Sequence, residues 1–446
     1  MGSVDLLPQE TLMKPPTHSL TAPPQELASL VQAAKQQPHQ DAPRLVLADW
    51  LEEHGDASDQ ARATFIRLQL ELHRLAANDA RRSALEDQAR QLLRQHHSAW
   101  LGPFCTFSEG WRFDRGLLCL ETDIHKVLGR SGELLADCEQ AIWLDRLVLR
   151  QVCTETLARF SRSPLLSCVG TLSIPASSLG VAAIRRLVSS PLMASLVGLD
   201  LNYNRIGNHG AAVLGGTPYL ANLHTLDLWM NSIGGRGGEA LAGSEYLQRL
   251  EYLNLGGNCL RSRGLAALLE SKLLYTVRTL LLWGNSLGPE GAALLGQSRG
   301  TLALRSLYLN ENRLGPAGIQ ALLAWPHLEK LELLSLWGNN LGATGTCLLA
   351  QAPLHSLHTL LLSNNRLGDE GVAALVRSPY LSQLTRLDLH NNNISDVGGR
   401  LLLETDNLPR LMCLDIHDNP ISDSLLGLLL QRYPIPARDA FCSHPA

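Results

Sequence analysis

The chain is short of aromatic residues, which fill 5% of its 446 positions, with only six phenylalanines and five methionines. Large rings therefore cannot build its core, and the over-use of leucine points to one core made repeatedly from one residue type. Strong charge of either sign is missing as well: 38 basic residues stand against 42 acidic ones, a formal charge of −4. That balance gives no electrostatic reason to bind nucleic acid or an anionic membrane, and neither is expected as a partner. No uninterrupted apolar stretch is long enough to span a bilayer. Residues 1–24 carry Asp5, Glu10, Lys14 and several prolines where a signal peptide needs an apolar run, so a disordered leader is expected there. The nine cysteines, an odd number, include no CxxC pair. Reduced, mostly buried thiols in a cytoplasmic protein are expected, not a disulfide framework or a zinc site.

Catalytic signatures are missing too. There is no phosphate loop of the GxxxxGK(S/T) type, no HExxH and no GxSxG. The run Gly234-Gly235-Arg236-Gly237-Gly238 looks like a phosphate cradle, but it falls in the turn-to-helix slot of a repeat. No catalytic residue, cofactor or metal is expected, and the chain is not read as an enzyme.

What is present is that repeat. Leu280-Leu281-Leu282-Trp283-Gly284-Asn285-Ser286-Leu287-Gly288 is one unit and Leu360-Leu361-Leu362-Ser363-Asn364-Asn365-Arg366-Leu367-Gly368 another. Their asparagine recurs as Asn204, Asn231, Asn258, Asn285, Asn312, Asn339, Asn365, Asn392 and Asn419, at gaps of 27 with one of 26. Ser177, 27 residues before Asn204, takes the same slot, giving ten units over 165–432. Leu144, Leu147 and Leu149 look like a preceding half-unit. The L-x-L core reads as a short strand with leucines inward. Asparagine, with two donors and an acceptor, can satisfy backbone groups that the turn leaves unpaired and form a ladder through the stack. Six residues after it a glycine recurs, from Gly210 to Gly398, which suggests close approach of a helix to its neighbours. Pro289 and Pro316, and Asp369, Asp396 and Asp423, stand where a helix begins.

These slots resemble the ribonuclease-inhibitor-like subfamily of leucine-rich repeats over about three fifths of the chain. The fold so implied is an α/β solenoid: a right-handed horseshoe with parallel strands on its concave face and helices on its convex face. The implied function is protein–protein interaction.

Residues 25–101 lack the repeat and read as a small helical domain; 102–164 read as a junction and cap, and 433–446 as a tail. Asp41 can cap a helix ended by Gly55, Ser58 or Asp59 can start a second, and a third is expected from Asn78 to His97. The stretches Asp41-Ala42-Pro43-Arg44-Leu45-Val46-Leu47-Ala48-Asp49-Trp50-Leu51-Glu52-Glu53-His54-Gly55-Asp56 and Phe65-Ile66-Arg67-Leu68-Gln69 resemble the repeat-companion domain of planctomycete proteins. The resemblance implies a bacterial protein and brings no catalytic residues. The acidic group Asp49, Glu52, Glu53 and Asp56 with His54 fits a solvated helix face better than a metal or catalytic cluster.

The strand positions between and after the leucines should face the concavity. Trp229, Trp283 and Trp337 share one of them in alternate repeats, with successive rings expected about 10 Å apart. With Tyr252 and Tyr308 they are the candidate anchors for a protein partner, or they pack on one another along the inner curve. Asp200, Asp227, Asp388 and Asp415 in the adjacent column favour a partner with basic groups. Asp388, His390, Asp415 and His417 should form a two-by-two grid beside Asp418, read as a hydrogen-bonded array and not a metal site. The alternative functions are regulation of an enzyme, such as a nucleotide hydrolase, through a ridge-loop Arg261, Arg263 or Arg313, and a purely structural scaffold.

Overall fold

The computed structural model describes residues 25–75, 79–300 and 302–434. The leader expected over 1–24, the helix start at Asn78 and all but two residues of the tail lie outside them.

Four helices open the chain: α1 (Gln25–Gln36), α2 (Ala42–His54), α3 (Ala57–Arg74) and α4 (Arg82–Leu101). The cap of α3 is Asp56, not Ser58 or Asp59: its Oδ1 accepts from the N–H groups of both, and Asp59 accepts from the Asp56 N–H in return. Asp41 makes no cap bond on α2 and instead pairs with Arg74 at 2.8 Å. The fourth helix runs past His97 to Leu101, because Trp100 and Leu101 are buried and Trp100 packs on Phe65 and Phe113. Two short helices, α5 (Phe104–Phe107) and α6 (Arg130–Ala136), flank a hairpin of β1 (Gly110–Asp114) and β2 (Leu117–Asp123). This antiparallel hairpin is absent from the repeat reading. β3 (Leu144–Arg150) is the half-unit strand, with Leu144, Leu147 and Leu149 buried. It is followed by α7 (Thr154–Phe160) and α8 (Leu165–Cys168).

Ten three-residue strands then follow: β4 (Thr171–Ser173), β5 (Gly198–Asp200), β6 (Thr225–Asp227), β7 (Tyr252–Asn254), β8 (Thr279–Leu281), β9 (Ser306–Tyr308), β10 (Leu333–Ser335), β11 (Thr359–Leu361), β12 (Arg386–Asp388) and β13 (Cys413–Asp415). Among the described residues one sheet holds all thirteen strands in sequence order. It is parallel from β2 onward, and Leu199, Leu226 and Leu253 stand opposite one another in register. Each strand returns through a helix, from α9 (Val181–Val188) to the last at Asp423–Arg432. The fold is a leucine-rich-repeat solenoid with a helical N-terminal region.

Two polar ladders hold the stack. Asn312 represents the first. Its Oδ1 accepts from the N–H groups of Asn285 and Leu287 in the preceding repeat, at 3.0 and 3.2 Å. Its Nδ2 donates to Leu282 O in that repeat and to Leu309 O and Asn310 O in its own. The rungs are side chain to backbone, not asparagine to asparagine. The second ladder escapes the sequence reading. Ser190, Thr217, Ser244 and Ser378 each donate a hydroxyl to a carbonyl of the preceding repeat, at Ser161, Val188, Gly215 and Ala350. Where the column holds Trp325, the His327 ring bonds Gly300 O at 2.8 Å instead. The helix starts are also joined across repeats. Asp369 Oδ1 accepts from the N–H groups of Ser395 and Gly398, so it caps the next helix and not its own.

The glycine six residues past the asparagine lets each helix lie against its own turn and the helix before it. A Cβ on Gly318 would stand 2.9 Å from Leu314 Cβ and 3.5 Å from Ala292 Cβ.

The N-terminal helices are welded to this stack by buried charge, and one hydrophobic core runs through both parts. Lys35 Nζ, at the end of α1, donates to Leu144 O at 2.8 Å and Cys168 O at 2.7 Å. The Arg62 guanidinium lies 3.9 Å from the Trp143 ring centroid. Gln69 of α3 bonds both Phe113 O and the Gly116 N–H of the hairpin.

Two outcomes follow. Asn312→Ala leaves buried N–H and C=O groups unpaired and should cost roughly 2–3 kcal/mol in denaturant unfolding. Asn419→Ala, in the half-exposed last rung, should cost less; equal losses would contradict a ladder whose worth depends on burial. Burial lowers Lys35 from 10.5 to about 8, with Asp145 opposing the shift. The unfolded chain binds more protons across that window, so stability should rise with pH through it. A Lys35→Met variant should lack that rise; parallel pH profiles would show that Lys35 does not titrate with folding.

Candidate protein-binding face

Odd-numbered strand positions face the concavity because successive side chains alternate. In the slot after the second leucine stand Trp229, Trp283 and Trp337. The first two are half-buried, and Trp337 is 37% exposed. Their even spacing does not hold. The Trp229 and Trp283 ring centroids are 5.5 Å apart, tilted by 56°, so no side chain of a partner fits between them. The reason is Gly256, which lies in their column on the strand between. A Cβ there would stand 2.1 Å from Trp283 Nε1, so the missing side chain is the space into which the ring leans. A Cβ on Gly257 would meet Met230 Sδ at 2.4 Å and Trp229 Nε1 at 3.1 Å. Tyr203 closes the group edge-on, 5.8 Å from Trp229. The result is one ledge of Tyr203, Trp229, Met230 and Trp283 over a glycine floor, with Trp337 outside it. Tyr252 is buried and Tyr308 half-buried in the strands alongside.

Tyr203 and Met230 were not among the residues singled out from the sequence. They occupy the turn position just before the ladder asparagine, where φ is positive in all ten repeats. Its N–H reaches forward to the next repeat: Tyr203 N donates to Trp229 O at 2.7 Å and Met230 N to Gly256 O at 3.0 Å. Left-handed backbone disfavours a bulky side chain by about 1–2 kcal/mol, and elsewhere this position holds glycine, asparagine or another small or polar residue. Tyr203 and Met230, at φ 56° and 53°, are nonetheless 53% and 38% exposed.

The acidic column has a structural task that the sequence reading missed. Each aspartate accepts the backbone N–H two residues on. Asp200 takes that of Asn202, Asp227 that of Trp229, Asp388 that of His390 and Asp415 that of His417. Neighbouring repeats supply further donors: Ser173 to Asp200, Asn254 to Asp227 and Ser363 to Asp388. Burial pushes the Asp388 carboxyl above the ordinary carboxylate range. The C-terminal grid is spread out, not convergent. His417 Nδ1 lies 3.0 Å from Asp415 Oδ1, and His390 Nε2 turns away to Asp418 at 3.5 Å. Among the described residues no three His, Cys, Asp or Glu side chains are placed to hold a metal ion.

The remaining candidates separate. Arg263 is locked to Glu239 by two bonds of 2.6 and 2.8 Å, while Arg261 and Arg313 lie in left-handed turns. Asn208 Oδ1 takes the N–H groups of Gly234 and Gly237 in the glycine run, as a cap on the helix that starts there. In the acidic group on α2, Arg67 bridges Asp49 and Glu52 at 2.7 Å each. The eight described cysteines are free thiols, but only Cys119, Cys138 and Cys413 are buried, against the expectation that most would be.

Six segments, residues 193–215, 219–242, 246–269, 304–323, 354–376 and 381–403, match the family model described as leucine-rich repeat. With the fold above, these matches identify the segments as leucine-rich repeats stacked in a solenoid. Similar solved structures include an internalin from Listeria monocytogenes, at 18% identity and a TM-score of 0.39 over 64% of this chain and 71% of that one. Another is the Rad7 and Elc1 complex in yeast, at 14% identity and a TM-score of 0.43 over 89% and 96%. No curated protein matches the chain. Among the described residues no helix is long and apolar enough to cross a membrane.

Gly256→Ala should displace the Trp283 ring and loosen the ledge while leaving the distant repeats folded. Near-ultraviolet circular dichroism should lose the part of its tryptophan signal that comes from the Trp229–Trp283 pair, at a small cost in stability, while the buried Trp100, Trp143 and Trp325 keep theirs; an unchanged spectrum would show that the rings do not depend on the glycine floor.

Proposed function

We propose that the concave face binds another protein, and that the ledge of Tyr203, Trp229, Met230 and Trp283 anchors it. The observation that carries this reading is the placement of Tyr203 and Met230. Both are bulky, apolar-faced and exposed, in left-handed backbone that the other repeats give to glycine, asparagine, Ala176, Glu311 or Asp418. Strain of that kind persists where a function depends on it. Tryptophan and tyrosine are the commonest interface anchors, and rings already packed on one another lose little freedom on binding. Asp200 and Asp227 beside the ledge, with Asp415 at the far end, favour a partner with basic groups; Asp388 is buried and serves its own turn. The spacing of the units and their helical returns also support the ribonuclease-inhibitor-like assignment, and the helical N-terminal region a companion domain.

The test uses a partner captured by the full chain and then purified. Tyr203→Gly and Met230→Gly relieve the backbone strain while removing the side chains, so each should hold stability within about 1 kcal/mol. Each should weaken binding roughly tenfold by titration, and Trp283→Ala about thirtyfold or more. A scaffold whose rings only pack would behave in the opposite way: Trp283→Ala would lower the melting temperature and leave affinity unchanged.

A further inference from the structure

On the helical side of the first repeat, α7, α9 and the turn after α9 enclose a concavity of about 970 Å³. The glycine slot explains why it lies here. Later helices sit close on the one before: a Cβ on Gly345 would lie 3.4 Å from Pro316 Cα, and one on Gly371 3.4 Å from Thr346 Cβ. The same slot in α9 holds Ala183. Its predecessor α7 is also short, ending at Phe160 before the separate α8. The groove left between them is lined by apolar Ala158, Val181 and Leu192 and by Arg162, Arg185 and Arg186.

All three arginines are exposed, and none is ion-paired with a described residue. Glu155, at the start of α7, lies within electrostatic reach of Arg186. In a chain whose net charge is −4, three guanidinium groups around one concavity, with no salt bridge to a described residue, are a local reversal of sign. Guanidinium is weakly hydrated and its planar fork matches a carboxylate with two parallel bonds. No aromatic side chain lines the groove for bases to stack on, and three cations neutralise few phosphates, which disfavours a polynucleotide. The volume lies near the top of the range for small-ligand pockets, roughly 300–1,000 Å³, so it holds a stretch of chain and not merely an ion.

We propose that this groove is a second binding site, separate from the concave face, for an extended acidic segment of a protein. Its carboxylates would sit on the arginine forks and an apolar side chain against Val181 and Leu192. The competing account is that Arg185 and Arg186, in the last turn of α9, only complement the negative end of the helix.

The test is fluorescence anisotropy of a short labelled peptide of alternating aspartate and leucine, titrated with the full chain at low salt. The peptide should bind, and added salt should weaken it. The double variant Arg162→Glu, Arg185→Glu should lose roughly tenfold or more in affinity. Arg185→Lys with Arg186→Lys keeps the charge but not the fork and should fall between. Trp283→Ala should bind the peptide as the wild type does, which separates this site from the concave one. No binding by the wild type, or equal binding by the double variant and wild type, would overturn the proposal. So would a labelled single-stranded oligonucleotide that binds as tightly as the peptide. If the charge-reversed chain melts early, the lysine pair, which keeps the helix-end charge, decides between the two accounts.

Discussion

The hydrogen bonds of the ladder asparagine are the interaction on which the rest depends. A strand of three residues is too short to fix its own ends, and the turn after it strands N–H and C=O groups inside the molecule. Asn312 meets five of them across two repeats. No repeat can satisfy its own turn, since the acceptor for that turn is carried by the next. Stability is therefore shared between neighbours and accumulates along the stack, as in other quasi-one-dimensional arrays.

The same constraint shapes the concave face. Each turn must adopt left-handed backbone before its asparagine so that the N–H can reach the next repeat. Glycine suits that position, and where Gly257 supplies it the surface is left flat. Tyr203 and Met230 take the same backbone with large side chains, and these close over the flat place together with Trp229 and Trp283. The ledge is thus a product of the scaffold: rigid turns hold it, and glycines on one strand leave room for rings from two others. The aspartates below it belong to the scaffold as well, since each accepts a backbone N–H.

The repeat was legible because its slots recur: a buried Leu226, Leu253 or Leu280 and a ladder asparagine are demanded again in every unit by the same geometry. The N-terminal helices were legible as helices but not at their caps. Asp56, Ser58 and Asp59 lie within three residues, and propensity does not rank them; the closing capping box does. The β1–β2 hairpin occurs once and borrows its partners from α3 through Gln69, so no periodicity announced it. The sequence puts the tryptophans in one strand position, but strand spacing fixes backbones and not ring directions, and Gly256 decides those. The hydroxyl ladder of Ser190, Thr217 and Ser244 has the same 27-residue spacing as the asparagines. It went unread because a serine is ordinary at a helix end and only a buried carbonyl opposite gives it meaning.

Hydroxyl-radical labelling of the chain, free and in complex with its purified protein partner, measures the central claim directly, because Tyr203, Met230 and Trp337 are exposed and oxidisable in the free chain. The account predicts that partner binding protects Tyr203 and Met230 strongly while exposed side chains on the convex helices, such as Val397, keep their reactivity. Unchanged oxidation of Tyr203 and Met230 in the complex, with protection confined to the convex helices, would contradict it.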